Sequence, residues 1–563
     1  MIDDFNEDPT KTALTYCDNV LSGRVIACDY VKKACQRHLN DLKYAGDRGF
    51  YFDKEAARKV VKFFSYCKHS KGEWYGKKIT LEPWQLFIIT TVFGWKREVD
   101  GMRRFRTVYE EVARKNGKST KLSGTGLYLF CADEEPGAEV YAAATKRDQA
   151  KIVFDDAVKM VRASKALASR IGIYKNNMHY PKDLPNNKFQ PLSSDSQTQD
   201  GLNVHCSIVD ELHAHKTGDL WRVLETGTGS RRQPLLYAIT TAGFDQTRIC
   251  YSLRDYAVKV LENLIEDDTF FGIIYTLDKE DDWTDERVWI KANPNLGVSK
   301  KLDDMQRQCV KAQQMKGERN GFLCKHLNIW TNAETAWLDL ERWKACGQYT
   351  FKRESLENRP CYIGLDLAST NDIAALVAAF LMPDDSVRLF CRFYLPKETV
   401  MTRAKQSPVP YQMWADEGYL TLTEGNVIDY NYIKDDIYQL NKEFDVKEIT
   451  YDPWNATQLA NDLLEEGANM VEFRQGFKSM TPALKELERL VISTKLHHNN
   501  NPVLNWMASN LVVVEDDAGN MKPSKRKSTE KIDGMVATAM TVGRLIAGED
   551  HSSIYNDREL FIL

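Results

Sequence analysis

Apolar and polar residues alternate with two different periods along this chain. Residues 1–60 read as helical and polar. An apolar segment follows at 79–95 and carries Trp84-Gln85. Strand-like apolar runs then recur at 105–112, Glu139–Ala144, 204–209 and Leu235–Thr240, with helical stretches between them. The first run leads through a turn-like Arg114-Lys115-Asn116-Gly117 into a helix predicted from Lys118 to about residue 129. Strands alternating with helices predict an α/β domain built on a parallel sheet.

A second set of elements begins after Pro360. Strands are predicted at 361–367, 373–381, 387–394 and 447–451. A last helix opens at Ile532, with Ile532, Val536, Ala539, Gly543 and Ile546 along one apolar face. Between the two sets lies a polar stretch with two tryptophans. The expected organisation is a helical segment at 1–60, a first domain at 61–335 with a lid-like region after Thr247, a joint at 336–359, a second α/β domain at 360–547 and a tail at 548–563.

Composition adds exclusions. At 43% hydrophobic and 28% charged, the 563 residues are neither disordered nor fibrous, and they are enough for more than one core. Seventy-six basic against 80 acidic residues leave a net charge of −4. Bulk charge therefore does not make this a polyanion binder, and any nucleic-acid contact must be a local patch. The 12 cysteines are scattered with no CxxC pair, which predicts free thiols in a reducing compartment. No apolar stretch is long enough to span a bilayer, and the opening MIDDFNEDPT lacks a signal-peptide core. The expectation is a soluble intracellular protein.

The junction VYEEVARKNGKST (108–120) has the strand–loop–helix context that phosphate binding needs. Helix N-terminal N–H groups attract phosphate oxygens, a lysine reaches the outer phosphates and a hydroxyl ligates Mg²⁺. Gly117, Lys118 and Ser119 supply these elements, with Arg114, Asn116 and Thr120 beside them. Val112 stands where GxxxxGK[ST] has its first glycine, and an ordinary loop-to-helix turn also accounts for the triplet alone. Further along, HCSIVDE (205–211) is an apolar strand ending in two carboxylates. Asp210 suits the Mg²⁺ shell, and Glu211 suits orienting or deprotonating a water. The strand at Leu235–Thr240 ends in the hydroxyls of Thr240 and Thr241, placed to sense a γ-phosphate. Just before it, Arg231 and Arg232 are candidates to reach a neighbouring subunit's nucleotide. Gln85 suits either adenine reading or helix capping. His213 and His215 read as structural, because no third and fourth metal ligand accompany them.

The second half carries three separated acids. Asp366 lies within an apolar strand, Asp452 ends another and Asp533 starts the last helix. A carboxylate in an apolar strand is costly unless paired or metal-bound. Converging from two strands and a helix, the three would hold two metal ions, one to activate water and one to stabilise the leaving oxygen. Taken singly, Asp366 also suits an edge-strand position and Asp533 a helix cap. Asp372 is a candidate accessory acid. The densest basic run, KPSKRKSTEK (522–531), precedes Asp533, so Lys525, Arg526 and Lys527 are candidates to grip a phosphate strand. No base-reading motif accompanies them.

The segments ARKNGKST, SIVDELHAH and RRQPLLYAITTAG resemble the ATPase half of the large terminase subunit of tailed double-stranded-DNA phages. In that family a loop rich in Arg and Lys before GKS is expected. The order strand-Asp, strand-Asp, helix-Asp resembles the RNase H-like nuclease that follows it there. The resemblance covers most of the chain outside the first 60 and last 15 residues. It implies an α/β architecture, a P-loop ATPase domain followed by an RNase H-like nuclease domain. The implied cofactors are ATP and Mg²⁺, with Mn²⁺ as an alternative at the nuclease site. The implied activity is packaging of double-stranded DNA into a procapsid with cleavage of concatemeric DNA. The implied partners are a portal protein, a small terminase subunit and further copies in a ring at the procapsid vertex, in the host cytoplasm and away from membranes. Three rival readings predict different assays. A helicase or translocase-type ATPase with an inert second domain hydrolyses ATP without cutting DNA. A resolvase with a degenerate nucleotide fold cuts DNA without ATP turnover. A capsid-vertex adaptor does neither.

Overall fold

The apolar runs of the first half assemble into one eight-stranded sheet in the computed structural model, which describes residues 8–183, 186–193, 201–331, 337–367, 372–403, 409–516, 518–528 and 530–552. In spatial order its strands are Phe270–Ile274, Thr107–Glu111, Leu235–Thr240, Val204–Asp210, Glu139–Ala144, Asn187–Ser193, Met178–Tyr180 and Gly172–Ile173. The first six run parallel and the last two antiparallel. Helices such as Lys118–Cys131 and Arg147–Ala163 cover the sheet, so its central strands are buried on both faces. That burial is why they read as unbroken apolar runs rather than alternating ones.

By contact, this sheet belongs to a unit formed by Met1–Gln314 and Gly321–Thr331, and a second unit comprises Met315–Asn320 and Asn332–Leu563. The N-terminal helices Pro9–Leu21, Asp29–Tyr44 and Lys54–Phe64 share the core of the first unit. Their sequences look polar because the buried stripe is narrow: in the second helix it is Val31, Ala34, Cys35, His38 and Asp41. Arg104, fully buried, locks this helix to the sheet unit through Asp41 at 2.8 Å and through Asp268. The segment at 336–359 carries the helix Leu340–Gln348, whose Trp343 is buried in the second unit's core.

The second sheet runs Thr421–Thr423, Val387–Pro396, Ala374–Leu381, Pro360–Asp366, Asp445–Tyr451 and Met470–Glu472, with Leu496–His497 beside the start of Val387–Pro396. Pro360–Asp366, Ala374–Leu381 and Val387–Pro396 form an antiparallel meander, and Asp445–Tyr451 joins the first of them in parallel. This is the RNase H-like arrangement. The helix Asp533–Ser552 packs across it with Val536, Ala539 and Met540 buried. Thr541 straps it down by donating to the carbonyls of Tyr362 and Val377 at 3.1 and 3.2 Å. Among the described residues no helix is long and apolar enough to cross a membrane. Every cysteine is a free thiol.

Candidate active sites

Parallel strands deliver their carboxyl ends to one edge, and the first site lies there. The registers Glu111 to Thr240 and Asp210 to Ile239 align the ends of three neighbouring strands. The loop from Ala113 to Gly117 leaves the strand Thr107–Glu111 and turns with Lys115 at φ +71° and Gly117 at φ +77°. Lys118 opens the following helix, with Ser119 and Thr120 half-buried in its first turn. Lys118 Nζ folds back to donate to the Val112 carbonyl at 3.1 Å. The residue in the missing glycine's position thus holds the lysine through its backbone, which needs no particular side chain.

Two asparagines that sequence reasoning missed brace this loop. Asn116 Nδ2 donates to the Ala113 carbonyl at 3.0 Å and to Asn293 Oδ1 at 3.1 Å. Asn116 Oδ1 accepts from Asn295 N, and Asn295 Oδ1 accepts from Trp84 Nε1 at 2.7 Å. Ser299 Oγ donates to the Lys115 carbonyl at 2.7 Å. The local signal for them is Asn293-Pro-Asn295-Leu-Gly297, a cluster of turn formers. Gln85 caps its own helix, taking Glu82 N on Oε1 at 3.1 Å. Its Nε2 meanwhile lies beside Gly117. Capping therefore uses one end of the amide and leaves the other facing the loop.

Asp210 ends the strand Val204–Asp210, two strands across from Thr107–Glu111, and Glu211 follows it. Burial, reinforced by the charge of Glu211, pushes Asp210 up to about 6 against the pull of Lys118. Glu211 is also raised by burial, but the positive charges of Lys118 and Arg114 oppose that, and it lies below its ordinary value. Glu211 sits at φ +51°, a strained backbone for a non-glycine residue. Its Oε2 is buried without a hydrogen-bond partner, 3.2 Å from His213 Nδ1. His213 joins this carboxylate to the next strand: its backbone N–H donates to Thr240 Oγ1 at 3.0 Å, and Nδ1 lies 3.0 Å from the same oxygen. Burial, with Lys118 and Arg114 nearby, lowers His213 to about 4, so the linking ring is neutral. The structural reading of His213 thus gains a specific content.

Arg231 precedes its strand, so it lies at the sheet edge opposite the loop. There it donates to the carbonyls of Pro136 at 3.0 Å, Asn203 at 3.2 Å and Gly137, with Glu135 3.5 Å away. A guanidinium with these partners and a side chain only 8% exposed is structural. Arg232 is exposed.

The second site forms where Pro360–Asp366 meets the start of the last helix. Gly364 and Asp366 share a strand face, and that helix lies directly over Gly364. This packing sets Asp533 over Asp366. The ammonium of Lys525 sits between them, 2.9 Å from Asp366 Oδ2 and 2.7 Å from Asp533 Oδ1. Gln475, unforeseen from sequence, donates to Asp366 Oδ1 at 3.0 Å. Burial and the neighbouring Asp533 raise the Asp366 carboxyl, and Lys525 opposes them. Leu365 pairs with Tyr451, so Asp452 follows at the end of the adjacent parallel strand. Of the three expected acids the structure brings Asp366 and Asp533 together: among the described residues no three His, Cys, Asp or Glu side chains are gathered as a metal cluster. The buried Asp533 Oδ2 has no hydrogen-bond partner, and an unpartnered carboxylate oxygen suits a metal ion.

The basic run divides. The Lys525 ammonium sits on the acids while its stem stays partly exposed, Lys531 pairs with Asp372, and Lys522 lies over the Phe477 ring at 4.8 Å. Arg526 and Lys527 are exposed.

One loop at a parallel-sheet edge and one acid pair on an RNase H-like sheet define a two-domain nucleotide-and-nuclease architecture. Comparison with known proteins gives it a family. The model of the terminase large subunit ATPase domain matches residues 83–259, and that of the terminase large subunit endonuclease domain matches 264–549. The chain is 32% identical to the terminase large subunit of Enterobacteria phage HK97, over 86% of its own length and 94% of that protein. It is 37% identical to protein YmfN of Escherichia coli (strain K12), over 64% of its length and 83% of that protein. The crystal structure of the HK97 large terminase is 31% identical, covering 87% of this chain and 99% of that one, with a TM-score of 0.45. The chain belongs to the terminase large subunit family and carries its ATPase and endonuclease domains.

Proposed function

We propose that this chain is the motor and nuclease of viral DNA packaging. It hydrolyses ATP to drive double-stranded DNA into a procapsid and cuts concatemeric DNA by a two-metal mechanism. The observation that carries this reading is the presence of both sites, in family order, on one chain.

In the ATPase, Lys118 turns from the Val112 carbonyl to the outer phosphates, and Ser119 and Asp210 hold the Mg²⁺ that accompanies ATP. Arg114, Asn116, Gly117 and Thr120 line the phosphates, and Gln85 Nε2 faces the base. Glu211, ionised beside Lys118, positions the attacking water. The neutral His213 carries a change at Glu211 to Thr240 and Thr241, and so to DNA movement. Arg232 is the remaining candidate of its pair to act on a neighbour's nucleotide in a ring.

In the nuclease, Asp366 and Asp533, with Asp452 at the end of the adjacent strand, would hold Mg²⁺ or Mn²⁺, which would supply an activated water and a charge for the leaving oxygen. Gln475 fixes the rotamer of Asp366. Arg526 and Lys527 contact the DNA backbone without regard to sequence. The partners are double-stranded DNA, a portal protein and a small terminase subunit, met in the host cytoplasm.

Two assays on the full chain test this. Supercoiled plasmid with Mn²⁺ or Mg²⁺ should be nicked and linearised by wild type and left intact by Asp366→Asn. DNA-stimulated ATP turnover should vanish in Lys118→Ala and persist in Asp366→Asn. ATP turnover without cleavage in any metal would replace the reading with a translocase carrying an inert second domain.

A further inference from the structure

Lys525 supplies one positive charge to two desolvated carboxylates. Asp366 and Asp533 are only 3% and 2% exposed. Carboxylates buried side by side repel, and each loses hydration that its neighbour cannot replace. A cation at their shared edge relieves both terms. Nζ occupies that edge, within 3 Å of one oxygen from each acid (2.9 and 2.7 Å). This is also the bridging position that an ion takes between two carboxylates.

The anchoring of Lys525 differs from that of the acids. Asp366 ends a core strand and Asp533 starts a core helix. Lys525 roots in the turn after the short strand Met521–Pro523, and its side chain is 47% exposed. Its ammonium can withdraw by stem rotation alone, whereas the acids cannot separate without unpacking the sheet. Arg526 and Lys527 beside it are exposed.

We propose that Lys525 is the resident cation of this acid pair, and that a divalent ion loads by exchange with its ammonium. This rests on reading Asp366 and Asp533 as metal ligands. Lys525 is then a positioning residue: it keeps the two carboxylates adjacent in the metal-free protein and sets a threshold for metal entry. No bond is made or broken in the exchange. The ammonium leaves with its protons, and the ion inherits both carboxylates.

Mn²⁺ titration of the full chain, followed by the electron-spin signal of free Mn²⁺, tests this. Lys525→Met keeps the stem and removes the charge, so Mn²⁺ should bind roughly tenfold tighter or more, because a competing full charge in a low-dielectric site is gone. The metal-free Lys525→Met protein should also melt lower than wild type in EDTA, and Mn²⁺ should raise its melting temperature further than it raises that of wild type. Lys525→Arg should bind Mn²⁺ close to the wild-type affinity. A measurement without substitution is acetylation of Lys525 in wild type, read by mass spectrometry, which should rise when Mn²⁺ is added. Equal Mn²⁺ affinity in wild type and Lys525→Met, or acetylation unchanged by Mn²⁺, would overturn the exchange and leave the metal-ligand reading standing. Mn²⁺ binding that survives Asp366→Asn unchanged, or no binding to wild type, would overturn that reading and the exchange with it.

Discussion

Asn116 Oδ1 accepts the backbone N–H of Asn295 at 3.0 Å, across 179 residues of sequence. One side chain thereby joins the loop before Lys118 to the segment that holds Trp84. Asn116→Ala would strand the Asn295 N–H and Asn293 Oδ1 in a buried setting, at about 1–3 kcal/mol. Urea titration should show that loss. Steady-state ATPase should show a KM for ATP raised more than kcat is lowered, because the loop loses its place while Glu211 keeps its own.

A buried charge pair lies beneath the same loop. Lys121 and Glu110 are ion-paired with both side chains fully buried, and Tyr237 donates to Glu110 Oε2 at 2.6 Å. Removing one partner leaves the other charge unpaired, so Lys121→Met should destabilise the fold by about 3–5 kcal/mol. Lys121→Met with Glu110→Gln should recover most of that. A double cycle that shows simple addition would contradict the pairing.

His38 gives stability a pH dependence. Burial among Phe52, Phe87 and Trp95 lowers it to about 4, and its Nδ1 accepts from Trp95 Nε1 at 3.2 Å. The folded value lies below the ordinary 6.5. The unfolded chain therefore takes up the proton first, and stability is lost as pH falls from 6.5 towards 4. The full loss from this group is about 3 kcal/mol. Denaturant unfolding from pH 7 to pH 4 should show it in wild type. His38→Gln, which keeps an acceptor for Trp95, should lack this part of the slope.

Arg231 and Arg232 should separate cleanly. Arg231→Ala removes several charge-assisted bonds to carbonyls near the surface and should cost about 1–2 kcal/mol. Arg232→Ala should stay within about 0.5 kcal/mol of wild type. If Arg232 acts across subunits, its alanine variant mixed with Lys118→Ala should regain part of the ATPase activity that each lacks alone.

The central strands were legible because burial on both faces writes them as apolar runs, and Glu139–Ala144 and Leu235–Thr240 match residue for residue. Gly117-Lys118-Ser119 and Asp210-Glu211 were legible because phosphate chemistry concentrates in short motifs. Asn295 and Gln475 were not, because their roles exist only through partners 211 and 109 residues away, Trp84 and Asp366. Lys525 was legible as a charge but not as a partner. Its neighbours in sequence are basic, and only folding shows that its ammonium meets two acids. Arg231 was misread for the opposite reason: loop position suggested exposure, while its partners are backbone carbonyls, which leave no mark in a sequence.

Gly364 carries a consequence for how such a nuclease can decay. A Cβ there would lie 2.5 Å from the Ala537 carbonyl oxygen. Alanine at this position, a single small change that alters no charged group, would lift the last helix and Asp533 away from Asp366. The acids, the lysine and the nucleotide loop would all remain in the sequence. A lineage that loses cleavage but keeps its motor can therefore do so through a glycine, and an inventory of intact motifs would score the silenced enzyme as active.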